Sequence, residues 1–250
     1  MDEAEAVVEQ VKSAVPYLRV ATAVVDDGPE WLACEPIVTQ PSALLDLVRS
    51  TAAGRGTDRD DVAMSLFVQG YAFRVASVAI GSWLVADRVL KVDASRTSIA
   101  LGRDRPNAVL LDAPSFIQTS DALLGLHDNV IEGHLARLIE TARAACRVGE
   151  ALLWGNVAAS CAASFGAFMD PLVDRQLEIR DRLMAFMAAA RPEMRIAGEV
   201  VAVGSRWAWQ RHACCLWYQT ESAFKCEDCS LWSEEERRAR VERILADQEI

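Results

Sequence analysis

Cys214 and Cys215 stand side by side, ten residues follow, and then come Cys226 and Cys229, so four of seven cysteines fall within 16 residues. The other three, Cys34, Cys146 and Cys161, are scattered. Four thiolates in one loop are the ligand set of a structural zinc or of a [2Fe–2S] centre. Zinc sites of this kind usually pair two Cys-x-x-Cys knuckles, and only Cys226 and Cys229 make one here. Neighbouring cysteines in extended chain project to opposite sides, which suits two separated irons better than one small ion. The spacing therefore leans towards iron–sulfur, with zinc as the alternative. Leu216, Trp217, Tyr218, Phe224, Leu231 and Trp232 are expected to form a partly dry shell around the sulfurs. A disulfide framework is the weakest reading, because the cysteine count is odd and the acidic start Met1-Asp-Glu-Ala-Glu is unlike an export signal.

Other chemistry has little support. His127 and His134 are seven residues apart, too far for the i, i+3 or i, i+4 spacing of a carboxylate-bridged site, and read as surface or half-buried histidines. Ser160 and Ser164 lack a nucleophile-elbow context. Gly54-Arg-Gly56 lacks the third glycine of a dinucleotide fingerprint and follows a helical pattern. The sequence shows no flavin or nicotinamide signature, so any redox reaction here would draw its electrons from another protein or a diffusible carrier. Trp207, Trp209 and Trp217 flank the cysteines, and Trp154 sits mid-chain. Large aromatics of this kind pack a core, or line an apolar cleft with Arg211 and Asn156 as polar contacts. Arg211 is alternatively a hydrogen-bond donor to a cluster sulfur or a carbonyl.

The string Arg211-His-Ala-Cys214-Cys215-Leu-Trp-Tyr218, closed by Cys226-Glu-Asp-Cys229-Ser-Leu231, resembles the C-terminal signature of FhuF-type ferric-siderophore reductases. The segment Leu153-Trp154-Gly155-Asn156-Val157-Ala158 is similar to a shorter mid-chain motif of that family. The resemblance implies Cys214, Cys215, Cys226 and Cys229 as ligands of a [2Fe–2S] cluster, and a functional Arg211. It implies one-electron reduction of a ferric siderophore, of the hydroxamate type, with release of Fe(II). The partners would be the siderophore and an external donor, a ferredoxin or a flavin reductase system. Glu227, Gln219 and Ser230 depart from the family pattern, which bears on substrate preference and removes no ligand.

The elements that must position these residues read as α+β, helix-dominated, with a small antiparallel sheet and a C-terminal cysteine-rich metal loop. Helical spacing runs from Glu3 to Val15 and stops at Pro16. Leu18 to Val25 reads as a strand, Pro41 opens a helix, and Gly54 to Gly56 is a break. An apolar helix begins near Asp60. Its Arg74 costs about 2.5–3.5 kcal/mol at a bilayer centre, so it reads as a buried core helix and not as a span. Short apolar runs between Trp83 and Asp112, broken at Asp93–Ser95 and Gly102–Pro106, read as a meander. Helices follow over residues 120–145, 148–165 and 174–190, with Pro192 ending the block. Ile196 to Val203 is a strand, and Ser233-Glu-Glu-Glu236 is a capping box for a last helix to about Asp247.

These patterns divide the chain into a body over residues 1–203, expected to bind the siderophore, and a cluster-binding segment over 204–250. A net charge of −10 argues against nucleic acid and favours neutral or cationic ligands. The expected location is the cytoplasm. Two other classes compete with the reductase: a binding module stapled by four-cysteine zinc, and a cluster-based redox sensor. Eight Asp and Glu against four Arg in residues 227–250 speak against a sensor that touches DNA.

Overall fold

The computed structural model describes residues 2–247 apart from 104, 204, 205 and 227. Its elements in chain order are α1 (Glu3–Ala14), β1 (Val20–Ala21), β2 (Trp31–Ala33), α2 (Cys34–Thr39), α3 (Pro41–Ala52), α4 (Asp60–Ala86), β3 (Thr97–Leu101) and β4 (Pro106–Leu111). Then follow α5 (Ala122–Leu126), α6 (Ala136–Ala145), α7 (Glu150–Gly166), α8 (Gln176–Ala189), α9 (Pro192–Arg195), β5 (Gly198–Val203), β6 (Arg206–Arg211) and α10 (Glu234–Asp247). The class is α+β and helix-dominated.

The centre is the pair α4 and α7. Asp60 and Asp61 favour the first turn of α4 through the helix dipole, and Asp87 in the left-handed region (φ 55°) ends it. Between them the helix is apolar nearly all round, so it has no face to give to water. By length and composition α4 could cross a membrane, but 78% of its most apolar window is buried inside the protein. The small residues of α7 let it lie close. Ser160 Oγ donates to the Gln69 carbonyl (2.8 Å), and the Ser77 and Ser164 hydroxyls share a bond (2.8 Å). Residue numbers climb together along both helices, so the two run in the same direction. Leu44, Phe67, Leu138, Val157, Phe165 and Phe186 join one continuous core around this pair.

The sheet is mixed, not the purely antiparallel meander that the pattern suggested. Its order is β1-β4-β3-β2, with β3 antiparallel to both neighbours and β1 parallel to β4 through Val20↔Val109. Val85 belongs to α4, and Leu90 makes an isolated bridge to Phe116. The strand expected over Leu18–Val25 shrinks to two residues. Pro16–Leu18 forms a 3-10 turn, Arg19 is left-handed (φ 50°), and Val24 and Val25 are exposed. In the turn between β3 and β4 the Gly102 amide donates to the Arg105 carbonyl (2.8 Å), while Asp104 lies outside the described residues.

A π-helical segment, His127–Leu135, links α5 to α6. It carries His134 fully into the core, against the expectation of a surface or half-buried site. Pro192 opens α9, because its fixed φ suits a first helical turn. β5 and β6 form a hairpin paired from Gly198↔Arg211 to Val203↔Arg206. The division at residues 203 and 204 falls between these two strands.

Candidate metal centre and adjoining cleft

Arg211 ends β6 with its side chain turned inward, 1% exposed. Its Nη2 donates to Asn156 Oδ1 on α7, and its Nε donates to the Ala213 carbonyl (3.2 Å). Asn156 Nδ2 donates to the carbonyl (2.9 Å) and hydroxyl (2.8 Å) of Ser65 on α4, and Ser65 Oγ donates to the Cys215 carbonyl (2.8 Å). A closed polar chain thus joins both central helices, β6 and the cysteine loop. Gly155 completes the fit: a Cβ there would lie 2.4 Å from Ala213 Cβ, so only glycine lets the loop rest on α7.

After Cys215 the chain turns sharply. Leu216 sits in the left-handed region (φ 67°), which is costly for a bulky residue, and its amide lies 3.4 Å from Cys214 Sγ as a donor. A 3-10 turn follows over Trp217–Gln219, and the Glu221 amide donates to the Gly56 carbonyl (2.7 Å). Gly54–Gly56, a mere break in the sequence, therefore anchors the far side of the loop. The knuckle is closed by the Cys229 amide on the Cys226 carbonyl (3.1 Å). Trp232 donates its indole N–H to the same carbonyl (3.0 Å). Ser233 then caps α10, its amide donating to Glu236 Oε2 (2.9 Å) and its hydroxyl receiving the Glu236 amide (3.2 Å). Glu227, inside the knuckle, lies outside the described residues.

Cys215 and Cys226 sulfurs are 3.6 Å apart. Two thiolates sharing one tetrahedral metal at about 2.3 Å lie about 3.8 Å from each other, so this pair is already spaced as co-ligands. Cys215 and Cys229 are each 2% exposed. The Cys226 thiol bonded to Cys215, with Arg211 assisting, holds Cys215 down at about 6, while Cys226 is pushed up because it keeps the shared proton. Burial raises Cys214, against the pull of the Leu216 amide, and the nearby Cys215 and Cys229 charges raise it further. By contrast, burial pushes Cys34 and Cys161 up to about 12 and Cys146 to about 11, which keeps them neutral thiols.

Among the described residues no three His, Cys, Asp or Glu side chains converge as a single-ion site requires. The donor set nevertheless fits an anionic, sulfur-ligated group. A guanidinium buried to this degree is costly without an anion, and Asp228 approaches its Nε only to 3.9 Å. Arg211 Nη1 has no hydrogen-bond partner among the described residues. Thiolates beside it would supply both the charge and the acceptor.

The dry shell differs from expectation. Phe224 is 74% exposed, and Leu231 and Tyr218 also face solvent. Val62 and Leu66 of α4 take their place, packing with Cys215, Leu216, Trp217 and Cys226 in a small apolar cluster. Trp154 is buried and stacks under Arg191 (4.5 Å), so neither it nor the buried Asn156 faces open space. Trp217 does. With Asp228 it walls a cleft of about 450 Å³ whose other sides are Tyr17, Leu66, Gln69, Phe73, Ser160 and three arginines, Arg55, Arg74 and Arg105.

Sequence reasoning missed Ser65 and all three arginines. Arg74 was visible as the one cation in an apolar helix, a signal that a buried polar partner or cavity lies nearby.

The sequence matches the family described as "Ferric iron reductase FhuF-like transporter" over residues 65–195. That span carries Ser65, Arg74, Gly155 and Asn156 and stops short of the four cysteines. No curated protein matches the chain. The match takes in more than half of the sequence, and the chain belongs to the FhuF-like ferric iron reductase family.

Proposed function

We propose that the protein reduces a ferric siderophore by one electron in the cytoplasm, through a [2Fe–2S] centre held by Cys214, Cys215, Cys226 and Cys229. The observation that carries this reading is the shared wall. Leu66 and Trp217 belong both to the apolar cluster around Cys215 and Cys226 and to the lining of the cleft, and Asp228 lies between the last two ligands. A molecule seated there rests against the loop that would hold the cluster.

The group, when bound, supplies single electrons at a potential set by its surroundings. The chain's own residues do the rest. Arg211 places positive charge close enough to act on Cys214 and Cys215 and keeps an N–H unpaired among the described residues, and Asn156 and Ser65 fix its direction. Val62, Leu66 and Trp217 keep water from that side. Phe73 and Leu66 give the cleft an apolar floor for the ligand body. Hard oxygen donors hold Fe(III) far better than Fe(II), so one added electron loosens the metal and frees it. No proton transfer is required of the protein. The electron is replaced by an external ferredoxin or flavin reductase. Lys225 and Arg240, which both lie over the Trp232 ring at 4.3 and 4.1 Å, offer such a donor a cationic landing point. Arg211 is too buried to take part in it.

The test is anaerobic purification and a visible spectrum before and after dithionite, followed by a ferric siderophore. A red-brown protein that bleaches and then recovers colour as Fe(II) appears is the expected result. Cys226→Ser should lose colour and activity together. A colourless protein holding one zinc per chain would instead support the stapled binding module.

A further inference from the structure

Neighbouring cysteines in extended chain project to opposite sides, whereas a shared metal centre needs both sulfurs on one side. The residue after the Cys214–Cys215 pair meets that need. Leu216 takes φ 67° and ψ 8°, in the left-handed region. The other described non-glycine residues with positive φ are Arg19, Asp87, Ala113 and Ala223, so Leu216 alone among them carries a branched apolar side chain. Such a conformation is costly for leucine and persists only where its surroundings fix it.

Here they fix it from both sides. Before the turn, Ser65 Oγ on α4 donates to the Cys215 carbonyl (2.8 Å). After it, the Gln219 amide donates to the Leu216 carbonyl (2.9 Å) and the Thr220 amide to the Trp217 carbonyl (3.0 Å). The Leu216 side chain packs against Val62, Leu66 and Cys215. Two successive amides are thereby turned onto sulfur. The Leu216 amide lies 3.4 Å from Cys214 Sγ, and the Trp217 amide acts on Cys215 as a hydrogen-bond donor. Successive N–H groups aimed to one side form a concave nest for anions, and metal-bound thiolates are anions of that kind.

Taking the four-cysteine centre proposed above as its basis, with no particular metal required, we propose that Leu216 is a positioning residue. Its left-handed backbone gathers the sulfurs of Cys214 and Cys215 to one side and makes the adjacent pair a usable half of the site. A right-handed or extended backbone at residue 216 would swing both amides off the sulfurs. Position 216 therefore needs a permitted left-handed conformation more than it needs apolar bulk.

Four variants of the full chain set these two needs against each other: Leu216→Gly, Leu216→Asn, Leu216→Ile and Leu216→Val. Glycine and asparagine enter the left-handed region readily but lack the apolar side chain. Isoleucine and valine keep the bulk, and their β-branching resists that region. Each metal-loaded protein, purified without oxygen, is challenged with excess EDTA, and released iron or zinc is measured against time. The glycine and asparagine variants should stay within about threefold of the parent rate, and the isoleucine and valine variants should lose metal at least about tenfold faster. Branched variants that fold but never load metal support the same conclusion. The reverse order, or one rate for all four, assigns Leu216 to packing and overturns the proposal. If the branched variants do not fold, the other two decide alone, and metal loss about tenfold faster than the parent in both overturns it. A parent protein that holds zinc, or a cluster that no ferric siderophore reoxidises, loses the reductase reading and leaves the order of the variants to be read as before. A parent protein that holds no metal overturns both.

Discussion

Arg211 shows how a single residue acquires a role from its partners. Its guanidinium is gripped by Asn156 and the Ala213 carbonyl, while its Nη1 has no hydrogen-bond partner among the described residues and its charge acts on Cys214 and Cys215. A buried positive charge favours the reduced, more negative form of a neighbouring cluster and so raises its potential. Arg211→Gln should therefore lower the midpoint potential, by about 60 mV for each 1.4 kcal/mol of lost stabilisation. Spectroelectrochemical titration reads that shift, and an unchanged potential would assign Arg211 to folding alone. Asn156→Ala should reproduce part of the shift, because the guanidinium loses its guide. The cysteine cluster was legible at this scale from spacing alone. The Ser65–Asn156–Arg211 chain was not, since 55 residues separate its last two members and no periodicity connects them.

Among the elements, α7 sets where the loop lies. Gly155→Ala would raise helix propensity by about 1 kcal/mol on an isolated helix. Here the added Cβ would overlap Ala213, so a net loss of about 1–3 kcal/mol is expected, with faster hydrogen exchange over residues 212–233. Exchange rates equal to those of the parent protein would refute the close contact. The helices themselves were readable because α1, α3 and α6 repeat an apolar face at helical period, and α1 opens on a capping box and α3 on a proline. β2 and β6 were not. Trp31–Ala33 is a three-residue strand, too short for alternation to register, and Arg206–Arg211 places its arginine inward, opposite to what polarity suggests. Arg211 reads as a surface residue in sequence, and inside the protein it is Asn156 that receives its guanidinium.

At the scale of the whole molecule, His134 ties stability to pH. Its Nε2 accepts from the Tyr71 hydroxyl (2.7 Å) and its Nδ1–H donates to the Val92 carbonyl, so the neutral ring is fully satisfied inside the core. Burial holds its pKa down at about 4, against 6.5 in the unfolded chain. Above about pH 6.5 both states carry a neutral ring, and this contribution to stability is complete. As pH falls towards 4 the unfolded chain binds the proton first, and about 3 kcal/mol is lost across that window. Urea unfolding at pH 7 and pH 5 should show the loss, and His134→Gln should flatten it. A slope that is identical in the variant would move the effect to other groups.

By itself the sequence determined the helix-dominated class, the buried character of α4 and the concentration of thiols near the C-terminus. Each is written in local composition, periodicity or spacing, which neighbouring residues alone can express. Only the tertiary structure decided that α4 and α7 run side by side, that Gly155 admits the cysteine loop, and that Arg55, Arg74 and Arg105 meet in one cleft. These depend on contacts between segments far apart in the chain, which local composition, periodicity and spacing cannot express.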